Sequence, residues 1–178
     1  SPELEYIIND CGARAYITSK YKADQAAEVL DTTPIVELRL MIDGTIDGYE
    51  SYEHAVAEQS TDPLDEVRVA GLDMLYSSGT TGMPKGITRP FPNTPLESSS
   101  GAVLPMLQML FGVDDTKRYL SPAPFYHAAP LRFCLAAHGL GATIVAMEHF
   151  DAEEYLGLVD RYDITHSQVV PTMFIRML

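Results

Sequence analysis

Twelve consecutive residues, Tyr76-Ser77-Ser78-Gly79-Thr80-Thr81-Gly82-Met83-Pro84-Lys85-Gly86-Ile87, hold three glycines, four Ser/Thr hydroxyls and one lysine. Glycine lets the backbone turn freely and lets its N–H groups approach a ligand closely. Successive N–H groups in such a turn form a concavity that binds anions. The hydroxyls add donors, and the lysine adds a compact positive charge. Residues 71–76, just before, read as a short and mostly apolar strand. A strand that runs into a Gly/Ser/Thr loop with a lysine is a phosphate-cradle design. It is not the common P-loop, which needs Gly, four residues, then Gly-Lys-Ser/Thr. Here Gly79 and Gly82 are three apart, Lys85 follows three later, and Pro84 fixes the backbone before it. The plain alternative is a Gly/Ser-rich surface turn with a solvated lysine. A lone Gly-Thr-Thr-Gly would fit either reading, whereas the full string favours the cradle.

A second stretch, Leu120-Ser121-Pro122-Ala123-Pro124-Phe125-Tyr126-His127-Ala128-Ala129, reads as a strand end followed by a proline-rich turn, aromatic residues and a histidine. A lone histidine is on general grounds more often structural or solvated than functional. Taken together, the two stretches resemble successive core motifs of the adenylate-forming superfamily: acyl-CoA synthetases, luciferases and the adenylation domains of peptide synthetases. Their separation of roughly forty residues fits that resemblance. A softer match runs from Phe150-Asp151-Ala152-Glu153-Glu154 to Val170-Pro171-Thr172-Met173, where helix, strand and proline-started helix follow in the family's order. The resemblance covers nearly the whole chain and is closest to a fatty-acid–CoA ligase.

The resemblance implies roles. Ser77, Ser78, Gly79, Thr80, Thr81, Gly82 and Lys85 would surround the β- and γ-phosphates of ATP, with Lys85 offsetting charge on the leaving pyrophosphate. His127 would sit at the carboxylate end of an acyl pocket, with Tyr126 and Phe125 as its wall and no proton transfer assigned. The implied reaction activates a carboxylic acid, a fatty acid among the candidates, as an acyl-adenylate and then passes the acyl group to coenzyme A. ATP, Mg²⁺ and coenzyme A are the implied cofactors and small-molecule partners. No residue is assigned to the metal, and a homodimer is compatible with the resemblance. Where many relatives continue Thr-His after the loop, this chain has Thr88-Arg89-Pro90. Arg89 is therefore open to a phosphate, a carboxylate or solvent.

Two other functions remain open on sequence. One is an adenylation domain that loads an amino or aryl acid onto a carrier protein. The other is a non-catalytic nucleotide-binding module. The family's adenine and ribose motifs, its acidic Mg²⁺ partner and its catalytic lysine on a small C-terminal domain have no match before Leu178. The expectation is that residues 1–178 are part of an N-terminal AMP-binding domain, with no complete catalytic set and no activity alone.

The composition agrees with such a piece. At 178 residues one domain is the expectation, large enough to bury about 70% of its unfolded surface. With 25 acidic against 12 basic residues, the net charge of −13 argues against a nucleic-acid or anionic-membrane surface. An anion site must then be built locally, which singles out Lys85. The two cysteines, Cys11 and Cys134, lie far apart, so neither a disulfide framework nor a zinc site is expected. A reduced cytoplasmic setting fits, and no stretch is long and apolar enough for a transmembrane segment.

Stepping from these residues to the elements that carry them, Ser1 and Pro2 should start a helix that Gly12 ends. Strands are expected over 13–18, 35–42, 71–76, 118–120, 142–147 and 164–170. Helices are expected over 20–30, from Ser51, over 98–111, 128–140 and 151–162, and from Pro171. The helix over 20–30 should bury Ala23, Ala26, Ala27 and Leu30. The helix over 98–111 should bury Val103, Leu104, Leu107, Leu110 and Phe111, with Met106 and Met109 as core filler. Asp151 should cap its helix. His54, His138, His149 and His166 read as structural or exposed. Alternating strands and helices predict an α/β fold with a mostly parallel sheet flanked by helices, part of the large N-terminal domain of the adenylate-forming fold.

Overall fold

The computed structural model describes residues 1–65, 67–77, 82–91, 93–95 and 102–178. These fall into two compact units. The first comprises residues 1–67 and 72–91, the second residues 68–71 and 92–178.

The first unit begins with helix α1 (Pro2–Asp10), whose Ser1 N-cap and early Pro2 match the expectation. Gly12 takes a φ of 64° just beyond its end, a left-handed conformation that suits glycine. Three parallel strands follow: β1 (Ala15–Ser19), β2 (Leu38–Ile42) and the two-residue β3 (Glu50–Ser51), in the order β1-β2-β3. A 3-10 turn at Lys20–Lys22 leads into α2 (Ala23–Glu28). Ala26 and Val29 are buried here, whereas Ala27, expected inside, is exposed. The reason is local. Val29 and Leu30 donate to the carbonyls of Ala26 and Ala27, three residues back. This tightening at the helix end turns Val29 inward. Val29 packs with Ile8 and Val36, while Ala26 packs with Met41 and Tyr49. The Tyr49 hydroxyl donates to the Ala26 carbonyl at 3.0 Å. Helix α3 (Tyr52–Ala57) is capped by Ser51, whose hydroxyl accepts from the His54 N–H at 3.2 Å.

The expected strand over 71–76 is shorter, β4 (Leu75–Ser77), and pairs antiparallel with a strand the sequence did not announce, β5 (Lys85–Ile87). The two strands carry the two ends of the cradle motif, whose residues 78–81 lie outside the described residues.

In the second unit, β6 (Arg118–Ser121) lies between β7 (Thr143–Ala146) and β8 (His166–Ser167), all parallel. Its side chains alternate across the sheet. Tyr119 joins a cluster with Leu107 of α4 (Val103–Phe111) and Ala137 of α5 (Ala128–Gly139). Leu120 joins Met147, Tyr155 of α6 (Ala152–Arg161) and Met177 of α7 (Pro171–Met177). Helices therefore cover both faces of this small parallel sheet, as such sheets require. Asp151 caps α6 as expected, accepting from the Glu154 N–H at 2.9 Å.

Two differences in this unit have physical causes. Helix α4 ends at Gly112, with a φ of 63°, and Leu110, Phe111 and Met109 are exposed, Met109 by 80%. Leu107 alone of the expected face is fully buried; Val103 and Leu104 are half-buried. Nine residues from Val103 give little more than two turns, so one turn of the apolar face meets the core. The start expected at residues 98–101 lies outside the described residues. Strand β8 is shorter than expected, and at its start the Thr165 hydroxyl, in place of a backbone carbonyl, accepts from the Arg118 N–H at 3.0 Å.

Candidate functional site

The β4–β5 register sets the geometry of the residues at the two ends of the candidate loop. Ser77 faces Lys85, Tyr76 faces Gly86, and Leu75 faces Ile87. Directly opposed residues of an antiparallel pair share a face, and successive residues alternate. Ser77 and Lys85 thus stand together on one face at the loop end, and Tyr76 stands on the other. Ser78, Gly79, Thr80 and Thr81 lie outside the described residues. Gly82 is exposed and Pro84 buried, and Lys85 is exposed. The Ser77 hydroxyl reaches the Lys85 carbonyl only at 3.5 Å, a long contact that leaves it free to serve a ligand. Lys85 makes no ion pair among the described residues.

The neighbouring polar groups are already engaged. Arg89, left open by the sequence, pairs with Asp73 at 3.1 Å. Asp73 is largely buried at 14% exposure and Arg89 is half-exposed at 52%, so the partner's position fixes the guanidinium on the strand flanks of the hairpin. The Tyr76 hydroxyl donates to Asp10 at 2.6 Å. Desolvation and then this hydrogen bond push the phenol well above its usual range, so it stays a proton donor. Gly86 is a close-approach position: a Cβ there would lie 3.1 Å from the Tyr76 ring and 3.2 Å from its oxygen, besides colliding with the Met74 methyl. Asp10 and Asp73 are residues that sequence reasoning missed. Asp10 is 66 residues from its partner, and no local pattern marks that pairing.

The second candidate element belongs to the other unit. Strand β6 ends at Ser121, and both Ser121 and Pro122 are buried. The chain turns with the His127 N–H donating to the Pro124 carbonyl at 3.2 Å. His127 is the N-cap of α5, extended at φ −89° and ψ 143°, and its carbonyl accepts from the Leu131 N–H. No side chain caps this helix and no acidic residue lies in its first turn. The N-terminal end of α5 therefore keeps its positive polarity uncompensated. The rings of Tyr126 and His127 lie 4.4 Å apart at a tilt of 51°, both exposed. Phe125, beside them, is 43% exposed. An imidazole held beside an aromatic ring at a positive helix end suits a carboxylate group.

The remaining histidines behave as expected of structural or exposed groups. His166 uses both ring nitrogens within the fold, one against Thr165 and one against the Phe111 carbonyl, each at 2.8 Å. His54 faces Glu58 on the surface of α3. Among the described residues no group of three His, Cys, Asp or Glu side chains is placed to hold a metal ion. Cys134 is buried, and burial raises its thiol pKa. Among the described residues no helix is long and apolar enough to cross a membrane.

Comparison with known proteins gives these elements a context. A family model described as AMP-binding enzyme matches residues 1–178. The chain is 28% identical over 194 residues to the 2-succinylbenzoate–CoA ligase of Bacillus velezensis, which aligns 99% of this chain with 38% of that protein. It is 29% identical over 196 residues to the medium-chain acyl-CoA ligase Mig of Mycobacterium avium, aligning 99% of this chain with 35% of that protein. The fold matches that of the O-succinylbenzoate coenzyme A synthetase of Bacillus subtilis, solved in complex with ATP and magnesium ion. There the TM-score is 0.66 at 20% identity, over 98% of this chain and 33% of that one. The chain thus spans less than two-fifths of the length of these relatives. With that family model matched over the whole chain, it belongs to the AMP-binding enzyme family.

Proposed function

We propose that residues 1–178 form part of the N-terminal AMP-binding domain of an ATP-dependent acyl-CoA synthetase. In this reading a substrate carboxylate attacks the α-phosphorus of ATP, the bond to the bridging oxygen breaks, and pyrophosphate leaves. The acyl-adenylate then transfers its acyl group to the thiol of coenzyme A, releasing AMP. One observation carries the reading: Lys85 and Ser77 share a face of the hairpin, with the lysine unpaired among the described residues while the neighbouring Arg89 is engaged. Lys85 offsets charge as it builds on the departing pyrophosphate, the kind of fixed electrostatic stabilisation that lowers such barriers. Ser77, Ser78, Gly79, Thr80, Thr81 and Gly82 supply N–H and hydroxyl donors to the same oxygens. His127 and Tyr126 border the carboxylate end of the acid, where the uncapped α5 N-terminus favours negative charge.

Mg²⁺ supplies charge neutralisation on ATP phosphates in such chemistry. Among the described residues no group of three His, Cys, Asp or Glu side chains is placed to hold it. The relatives named above differ in the acid that their names give, and the substrate class in this reading is a carboxylic acid, with fatty acids among the candidates. A cytoplasmic enzyme of fatty-acid metabolism is consistent with these readings.

The test uses the full-length protein with ATP, Mg²⁺ and a panel of octanoate, 2-succinylbenzoate, benzoate and phenylalanine. Pyrophosphate release and thioester formation with coenzyme A are both measured. The proposal expects acid-dependent pyrophosphate release, and an acyl-CoA product when coenzyme A is added. Pyrophosphate release with no thioester favours loading onto a carrier protein instead. ATP binding without pyrophosphate release from any acid favours a non-catalytic module.

A further inference from the structure

We infer that Asp10 and Tyr76 act as a positioning pair for the Ser77 and Lys85 end of the hairpin, a role that rests on the ATP-binding reading above. Neither residue touches the proposed ligand; they act through the strand that carries Ser77. The Tyr76 hydroxyl donates to Asp10 Oδ2 at 2.6 Å, tying β4 to the end of α1 across 66 residues of sequence. Asp10 is the last residue of α1, and the last turn of that helix holds no basic residue. A carboxylate there faces the negative end of the helix dipole, an unfavourable place unless something compensates it. The phenolic O–H supplies that compensation.

The opposite strand is adapted to the same contact. Gly86, the cross-strand partner of Tyr76, has no Cβ, and one added there would crowd the Tyr76 ring and oxygen at 3.1 and 3.2 Å. The ring therefore occupies the space over β5 that a side chain would need. Tyr76 immediately precedes Ser77, and Gly86 immediately follows Lys85. Both strands are thus fixed one residue from the proposed phosphate contacts. The alternation of faces separates the two jobs: Tyr76 turns to Asp10 while Ser77 and Lys85 share the other face. The pair also survives ordinary pH changes above neutrality, because the phenol is held in its protonated, donating form.

The experiment measures ATP binding to the full-length protein by titration calorimetry with Mg²⁺ present, for Tyr76→Phe, Asp10→Ala, Asp10→Asn and the Tyr76→Phe/Asp10→Ala double variant. Each of the first two should weaken ATP binding about tenfold, within what one hydrogen bond to a charged group supplies. Asp10→Asn should fall between them and wild type, because its amide oxygen still accepts. The double variant should be no worse than either single, the signature of one shared interaction. In activity assays KM for ATP should rise while KM for the acid stays constant. Variants that lose melting temperature but bind ATP as wild type does would show a purely structural contact and overturn the inference. Additive effects in the double variant would overturn it too. Wild-type protein that binds no ATP overturns the functional reading and this role with it; wild type that binds, with variants that match it, overturns only the role of the pair.

Discussion

The β4–β5 hairpin and the β6–α5 turn both present exposed polar side chains, but they are anchored by different means. The turn grows out of a buried parallel strand: Tyr119, Leu120 and Ser121 of β6 are each at most 3% exposed, with helices on both faces. The hairpin has three residues per strand, and none of the six is buried. Two-stranded ribbons of this size are marginal by themselves. It is held instead by side-chain ties, Asp10 to Tyr76 and Asp73 to Arg89. Core packing fixes the histidine, and polar contacts fix the lysine. Loss of a buried side chain in the first region should therefore appear as lost stability, and loss of an exposed polar side chain in the second as lost binding or rate.

The largest effect is expected where this contrast predicts a purely thermodynamic outcome. Leu120→Ala removes a fully buried side chain, 0% exposed, from the centre of the second unit. It should cost about 3 kcal/mol, read as a lower urea midpoint of unfolding. A loss below about 0.5 kcal/mol would mean that β6 is not the packed strand described. Next comes the reverse case. Lys85→Ala should leave the unfolding midpoint unchanged and reduce ATP–pyrophosphate exchange by the full-length protein about 100-fold, the scale for one lost electrostatic contact to developing charge. A variant with unchanged exchange would remove the lysine from the mechanism, and one that unfolds would break the contrast. Smaller again, Gly86→Ala should cost about 1–2 kcal/mol, the usual range for forcing a methylene into a tight space. Met74 can swing its methyl aside, but the Tyr76 ring is held by Asp10. Adding Tyr76→Phe, which frees the ring, should reduce that cost, and an unchanged cost would show that the ring is not the obstacle.

The same contrast explains what could be read from sequence. The β6–α5 turn was legible because its parts are contiguous: apolar strand, prolines, aromatics, histidine and an apolar helix in unbroken order. The capping of α6 by Asp151 was legible for the same local reason. The hairpin was legible only as a loop composition. Its antiparallel partner strand, Lys85–Ile87, hides in Lys-Gly-Ile, which has one apolar side chain and no alternation. Asp10 and Asp73 carry no local mark of their partners, because those pairings form only when the chain folds. The misassigned helix faces have the same origin. Ala27 and Leu110 satisfy a 3.6-residue period, but short helices with tightened or glycine-stopped ends do not present that whole face to the core.

The composition-level expectation for Lys85 fares differently from that for Arg89. In a chain with a net charge of −13, 25 acidic residues outnumber the 12 basic ones that they can neutralise. Arg89 is taken up in that way by Asp73, whereas Lys85 stands on the strand face opposite the Asp10 tie. Local placement against the net field is what makes the hairpin a candidate phosphate site.

The most direct test is an experimental structure of the full-length protein with ATP and Mg²⁺. The account predicts β- or γ-phosphate oxygens within hydrogen-bond distance of Lys85 Nζ and the Ser77 hydroxyl, with Tyr76 still bonded to Asp10. Phosphates bound away from both Ser77 and Lys85 would contradict it.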